Sequence, residues 1–130
     1  MDCLTDVRLD LAEELYRDGP FRIPGMPFHH SAPSLYAKAM DALDLDADRP
    51  LSFLCIGSGT GYFCCAMAHR LGDRCRLIHG VEIEPELVEF SREAIQRHIA
   101  GLVPSQTAYF RRPDIFEGNA FAIDPRRNIQ

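Results

Sequence analysis

Hydrophobic positions change their rhythm several times along this chain, and each change marks an element. Leu4, Val7, Leu11 and Leu15 recur at helical spacing, so residues 3–17 read as an amphipathic helix, stopped by Gly19-Pro20. Residues 20–30 hold three prolines and a glycine and read as irregular, with His29-His30 on a loop. Ser31-Ala32-Pro33 then opens a second helix. Ser31 is the candidate N-cap, and Pro33 suits a first turn that needs no N–H. Leu35, Ala39, Ala42 and Leu43 supply its apolar face, and residues 44–50 form a polar linker.

The middle of the chain is more regular. Leu51–Ile56 is almost wholly apolar, the signature of a central parallel strand covered on both faces. Gly57-Ser58-Gly59-Thr60-Gly61 turns the chain into a helix over Tyr62–Leu71, with Gly72 just past its end. Cys75–Glu82 reads as a second strand. Pro85 opens another helix with Leu87, Val88, Ile95 and Ile99 as apolar positions, and Glu84, Glu86 and Glu89 suit its positive end. Residues 106–111 are the candidate third strand, and the chain after Asp114 reads as turn-like. Right-handed crossovers make this β-α-β-α-β series a parallel sheet ordered 3-2-1, an α/β fold.

Composition narrows the setting. The chain has 130 residues, 46% hydrophobic and 25% charged, which predicts one domain with a real core. It divides into N-terminal helices over residues 1–50 and a β-α-β-α-β half over 51–130. A net charge of −5 argues against a broad nucleic-acid surface. No apolar run approaches the ~18 residues of a membrane span, and the acidic start does not resemble a signal peptide, so no membrane partner and a cytoplasmic location are expected. The five cysteines show no C-x-x-C, so neither a disulfide framework nor a metal site is indicated, and Cys55, Cys64 and Cys65 read as small core hydrophobes.

The chemistry concentrates in the glycine loop. A strand running through G-x-G into a helix brings backbone N–H groups against a ligand at the helix N-terminus. A dinucleotide favours G-x-G-x-x-G/A. Here Tyr62 occupies the sixth position and the third glycine comes one residue early, at Gly61, which disfavours NAD. The G-x-G-x-G turn fits the methionine carboxylate and ribose of S-adenosylmethionine. Glu82 ends the next strand about 20 residues on, where an acidic side chain accepts ribose hydroxyls.

Taken together, Ser31-Ala32-Pro33, the spacer helix, FLCIGSGTGY and HGVEIEPELVE resemble the protein-L-isoaspartate (D-aspartate) O-methyltransferase family, and more closely its eukaryotic domain-containing relatives. The resemblance covers roughly residues 25–120. It implies a class I S-adenosylmethionine-dependent methyltransferase, Rossmann-like, acting on isoaspartyl residues of damaged proteins or peptides. The methyl ester then collapses to a succinimide, which starts repair. By resemblance, Ser31 holds the isoaspartyl carboxylate. Gly57, Ser58, Gly59 and Gly61 form the methionine-side loop, Glu82 binds the ribose, and Asn119 lies near the adenine. Tyr36, one turn beyond Pro33, is placed on the substrate side. Asn119 stands where the family often has Asp, and His30 departs from the residue usual before the serine. The alternative is a non-catalytic module that retains the fold and binds cofactor or protein. A complete fold of this class has seven strands, so this chain is expected to be a fragment, a truncated gene model or half of a larger protein. Its oligomeric state is left open.

Overall fold

The computed structural model describes residues 17–22, 25, 29–46 and 48–122. The helix expected over residues 3–17 lies outside them except for Arg17. Two two-residue strands, β1 (Phe21–Arg22) and β2 (His29–His30), pair antiparallel, with Phe21 opposite His30. The segment expected to be wholly irregular thus folds back on itself, and His30 is not on a loop but in this ribbon. Helix α1 follows over Pro33–Ala42. The main sheet has β3 (Leu51–Ile56), β4 (Cys75–Glu82) and β5 (Asp114–Glu117), all parallel and ordered β3-β4-β5. Helix α2 (Tyr62–Leu71) joins β3 to β4; α3 (Pro85–Ala100) and the single turn α4 (Pro104–Thr107) join β4 to β5.

The helices α2 and α3 pack their apolar stripes on the sheet. Met67, Ile78, Leu87, Val88 and Ile95 are almost fully buried there, with Cys64 and Cys65 beside them. Burying side chains of this size contributes on the order of 1.5–3 kcal/mol each. β3 does not match the expected strand covered on both faces. Its residues alternate between half-buried and exposed, and Leu54 and Ile56 are 46% and 64% exposed. The reason is its position: among the described residues β3 pairs with β4 alone, so one long edge is open. An open apolar edge is the feature that invites further strand pairing.

Two other expectations fail for identifiable reasons. Residues 106–111 do not form the third strand. Pro104 sits at the start of α4, and the Gln106 side chain accepts the Val103 N–H at 3.1 Å, which closes a helical turn. The third strand lies later, at Asp114–Glu117, in the stretch read as turn-like. Pairing with His79–Glu82 fixes it, and the Arg92 guanidinium donates to the Ile115 carbonyl at 2.7 and 3.0 Å. Nor does Ser31 cap α1. The N-cap is Ala32, without a side-chain cap bond. The Ser34 N–H instead donates to the Asp18 carboxylate at 3.0 Å, so a residue 16 positions upstream caps the helix.

That cap has a pH signature. The Ser34 backbone N–H, then its hydroxyl, hold the Asp18 carboxyl below its ordinary range, aided by Lys38 against a small burial effect. A carboxylate lowered in the folded state stabilises above its unfolded pKa and loses that contribution as pH falls through the lowered value. The Ser34 amide resonance is expected to shift with a midpoint below ~3.9. A midpoint at or above that value would count against the cap. Asp18→Asn should abolish the shift, and Asp18→Ala should fray the first turn of α1 at every pH.

Candidate functional site

β3 ends in the glycine loop because the backbone there adopts angles that other residues resist. Gly57, Gly59 and Gly61 have φ values of 72°, 55° and 81°, all left-handed. The reason differs along the loop. A Cβ at Gly57 would meet nothing within 4 Å, so only conformation demands glycine. At Gly61 a Cβ would also come within 3.2 Å of Ile95 and 3.4 Å of Ser91, so this glycine further lets α2 start against α3. The Gly57 and Ser58 N–H groups both donate to the Val81 carbonyl, at 2.8 and 3.1 Å, which carries the β3–β4 pairing into the loop.

Glu82 closes the arrangement. Its side chain is 6% exposed. Oε2 accepts the Gly59 N–H at 2.8 Å, and Oε1 accepts those of Ile83 and Glu84 at 2.9 and 3.1 Å. A carboxylate offers about four acceptor positions, so three are used by backbone donors. The end of β4, the loop and the start of α3 therefore share one negative charge. Gly118 joins the same cluster, its N–H donating to the Glu82 carbonyl at 3.0 Å.

A cavity of about 780 Å³ opens beside this loop. Gly57, Ser58, Thr60 and Glu82 line it from the cradle, and Ser31 and Tyr36 from the segment around the start of α1. Both alternating sets of β3, Phe53 and Cys55 with Leu54 and Ile56, also line it, so it wraps around the open edge of the strand. Ser58 is buried, and its hydroxyl has no hydrogen-bond partner among the described residues. A buried hydroxyl in that condition costs on the order of 1–3 kcal/mol, a cost that a polar ligand would offset.

An aromatic cluster holds the Ser31 side of the cavity. His30 is 1% exposed. Its ring meets Tyr62 edge-on at 5.1 Å and Tyr36 at 5.3 Å, and Tyr36 in turn packs on Phe63 at 5.0 Å. Burial pushes the His30 imidazole below its ordinary pKa, favouring the neutral ring. Burial pushes the Tyr36 phenol up, partly opposed by hydrogen bonds from the Ser31 side chain and backbone. Ser31 and Tyr36 are thus direct neighbours.

Of the sequence-predicted residues, Ser31, Tyr36, Gly57, Ser58 and Glu82 line one cavity. Gly59 and Gly61 shape the loop behind it. Asn119 is outside the cavity lining; it is exposed, and its side-chain oxygen accepts the Phe121 N–H at 3.0 Å in a local turn. Sequence reasoning missed Thr60, Tyr62, Phe53 and Gly80. Only the last left a signal, a glycine inside an otherwise strand-like run. A Cβ at Gly80 would sit 2.6 Å from Ile115 and 2.7 Å from the Ser58 side chain. Gly80 is therefore what admits Ser58 and β5 to the sheet end.

The chain has informative relatives. The sequence model described as protein-L-isoaspartate(D-aspartate) O-methyltransferase matches residues 7–108. A Caenorhabditis elegans protein-L-isoaspartate O-methyltransferase is 39% identical over 83 residues, covering 64% of this chain and 36% of that protein. A solved protein-L-isoaspartate O-methyltransferase superposes with a TM-score of 0.68 at 23% identity, over 89% of this chain and 33% of the other. A Plasmodium falciparum structure described as a candidate protein of that name, in complex with S-adenosyl-L-homocysteine, gives 0.64 at 21% identity, over 97% and 59%. The fold is thus the Rossmann-like one of class I S-adenosylmethionine-dependent methyltransferases. The chain spans little more than a third of the curated relative's length.

Gly80→Ala tests the packing behind the cavity. It should lower stability by about 1–3 kcal/mol, the usual cost of overpacking. Denaturant melts measure this, and an unchanged midpoint would contradict the tight approach of Ser58 and Ile115.

Proposed function

Because the chain belongs to the protein-L-isoaspartate O-methyltransferase family, we propose that it transfers a methyl group from S-adenosylmethionine to the carboxylate of isoaspartyl residues in damaged cytoplasmic proteins. The observation that carries this reading is the shared cavity. Ser31 and Tyr36, on the proposed substrate side, and Gly57, Ser58 and Glu82, on the proposed cofactor side, line one space. Its volume falls within the usual range of small-molecule sites. In domain terms, residues 1–50 present the substrate side and 51–130 the cofactor side.

The residues present fit the cofactor. Ser58 offers a buried hydroxyl without a partner among the described residues. Glu82 has about one acceptor position left, enough for one ribose hydroxyl with the Gly59 bond intact. Accepting both hydroxyls requires one of the three backbone N–H groups, of Gly59, Ile83 or Glu84, to be released. Asn119, outside the cavity lining, would have to turn towards the adenine from its present local bond. When bound, the cofactor supplies an electrophilic methyl group. The substrate carboxylate is ionised at pH 7 and needs no general base. What the chain must do is position it, and positioning alone can account for several kcal/mol of a barrier. Ser31 is the hydroxyl placed for that carboxylate, with Tyr36 holding it in place.

The second reading is a module that binds without transferring. It is favoured by Asn119, which carries no charge where the family often has Asp. Methyl transfer from labelled S-adenosylmethionine to an isoaspartyl peptide, with the full-length protein, separates the two. Transfer that is reduced by Ser31→Ala supports the enzyme, and binding without transfer supports the module. Glu82→Ala should weaken S-adenosylhomocysteine binding by roughly ten- to a hundred-fold, since hydrogen bonds to a charged group are worth about 1.5–3 kcal/mol. Calorimetry that detects no binding to the wild-type protein would overturn the cofactor assignment itself.

A further inference from the structure

Two histidines meet at the end of the sheet away from the cavity. α2 starts at the glycine loop and α3 just beyond β4, and both run back along the sheet, so their last turns lie at its opposite end. His69 is in the last turn of α2 and His98 in the last turn of α3. Their Nε2 atoms are 2.8 Å apart and their ring centres 5.1 Å apart, with the planes at 80°. Both residues are half-buried. Phe110 packs on both rings, 4.7 Å from His69 and 5.5 Å from His98, and so walls the pair on one side. The two histidines are 29 positions apart, so no motif spacing reveals them.

One Nε2 carries a proton and the other accepts it. The spacing also suits an ion in the place of that proton. Two imidazoles bound to one tetrahedral ion by bonds of about 2.0–2.1 Å have nitrogens about 3.3 Å apart and ring centres about 5.2 Å apart. The ring centres here nearly match that separation. A tilt of each ring about its own centre therefore turns both Nε2 lone pairs onto a common point.

The surroundings favour a cation. The last turns of two helices bring the negative ends of their dipoles to the pair. Arg70, the neighbouring positive charge on α2, is turned about 100° around the helix axis and is ion-paired with Asp46. Burial pushes the His69 imidazole below its ordinary pKa, which keeps its lone pair available near neutral pH. Among the described residues no group of three or more His, Cys, Asp or Glu converges on a common point, so water must complete any coordination here.

We propose that His69 and His98 form a two-histidine site for a late first-row divalent cation, Zn²⁺, Ni²⁺ or Cu²⁺, that clasps the last turns of α2 and α3. Imidazole suits these ions, whereas Mg²⁺ and Ca²⁺ take oxygen ligands. On binding, the donor ring moves its proton from Nε2 to Nδ1 through solvent. Both rings stay neutral, and each gives one Nε2 lone pair to the ion. With two protein ligands the ion exchanges freely, and by mass action it stabilises the fold that binds it. The site lies at the other end of the sheet from the cavity, so the inference goes beyond the proposed function and stands or falls apart from it.

The test uses the full-length protein without an affinity tag, stripped with a chelator and titrated with zinc chloride. In nitrogen-15 spectra of the histidine side chains, the His69 and His98 Nε2 resonances should move together and saturate. The thermal midpoint should rise with zinc and fall back on adding EDTA, and magnesium chloride should produce neither change. His69→Gln and His98→Gln keep an amide for the hydrogen bond but lose the ligand, so each should abolish the rise. Nε2 resonances of His69 and His98 that stay in place under excess zinc would overturn the proposal and leave a pair that only shares a proton. So would a rise that persists unchanged in both variants, because the ion would then sit elsewhere. The wild-type spectra decide the matter even if a variant does not fold.

Discussion

The Glu82 carboxylate is the constraint on which the rest of this structure depends. It is buried, and a buried charge survives only with hydrogen-bond partners. Its partners are backbone donors from three places: Gly59 in the loop, Ile83 beyond the strand, and Glu84 at the start of α3. Satisfying the charge therefore fixes the position of three segments at once. The left-handed glycines make the loop able to reach it, and Gly80 makes room for the loop to lie down on the sheet. Removing any of these would expose the charge or force the loop outward. The same group that organises the cradle is the one the proposed ribose contact uses, so structure and binding share an acceptor.

How far the sequence revealed this varies by element. The boundaries of Leu51–Ile56, Tyr62–Leu71 and Cys75–Glu82 are legible because short apolar runs are punctuated by glycines. The parallel order also follows from the alternation of strands and helices. β5 is not legible: Asp114–Glu117 has only Ile115 and Phe116 as apolar residues between acidic ends, and pairing with β4 makes it a strand. The cap of α1 is hidden for a similar reason. Nothing local to Ser34 points to Asp18, because the contact is made by the path of the chain.

The candidate site divides along the same line. Motif spacing brought forward the loop glycines and Glu82, since each sits at a fixed offset from a turn or a strand end, whereas Ser31 came forward through the family resemblance of Ser31-Ala32-Pro33. Spacing could not bring forward Tyr62 or Phe53, whose part is to wall the cavity. Aromatic residues on a helix or strand look alike whether they face a core or a ligand. His30 shows the limit most clearly. As one of two adjacent histidines after a proline-rich stretch it reads as a surface feature, yet it packs edge-on to Tyr62 beneath the serine that follows it.

The Glu82–Gly59 bond spans only 23 positions of sequence, and the β3–β4 pairing around it is just as local. Closing a loop of that length costs little chain entropy, and doubling it would add only about 0.6 kcal/mol. The cradle is thus assembled from neighbours, whereas the Asp18 cap and the β5 pairing bring in segments from either side. During synthesis, residues 51–82 leave the ribosome before Asp114–Glu117 does. The order of chain emergence thereby favours building the ligand-facing turn first and fitting the outer segments to it, so sequence change in those segments is less able to disturb the turn's shape.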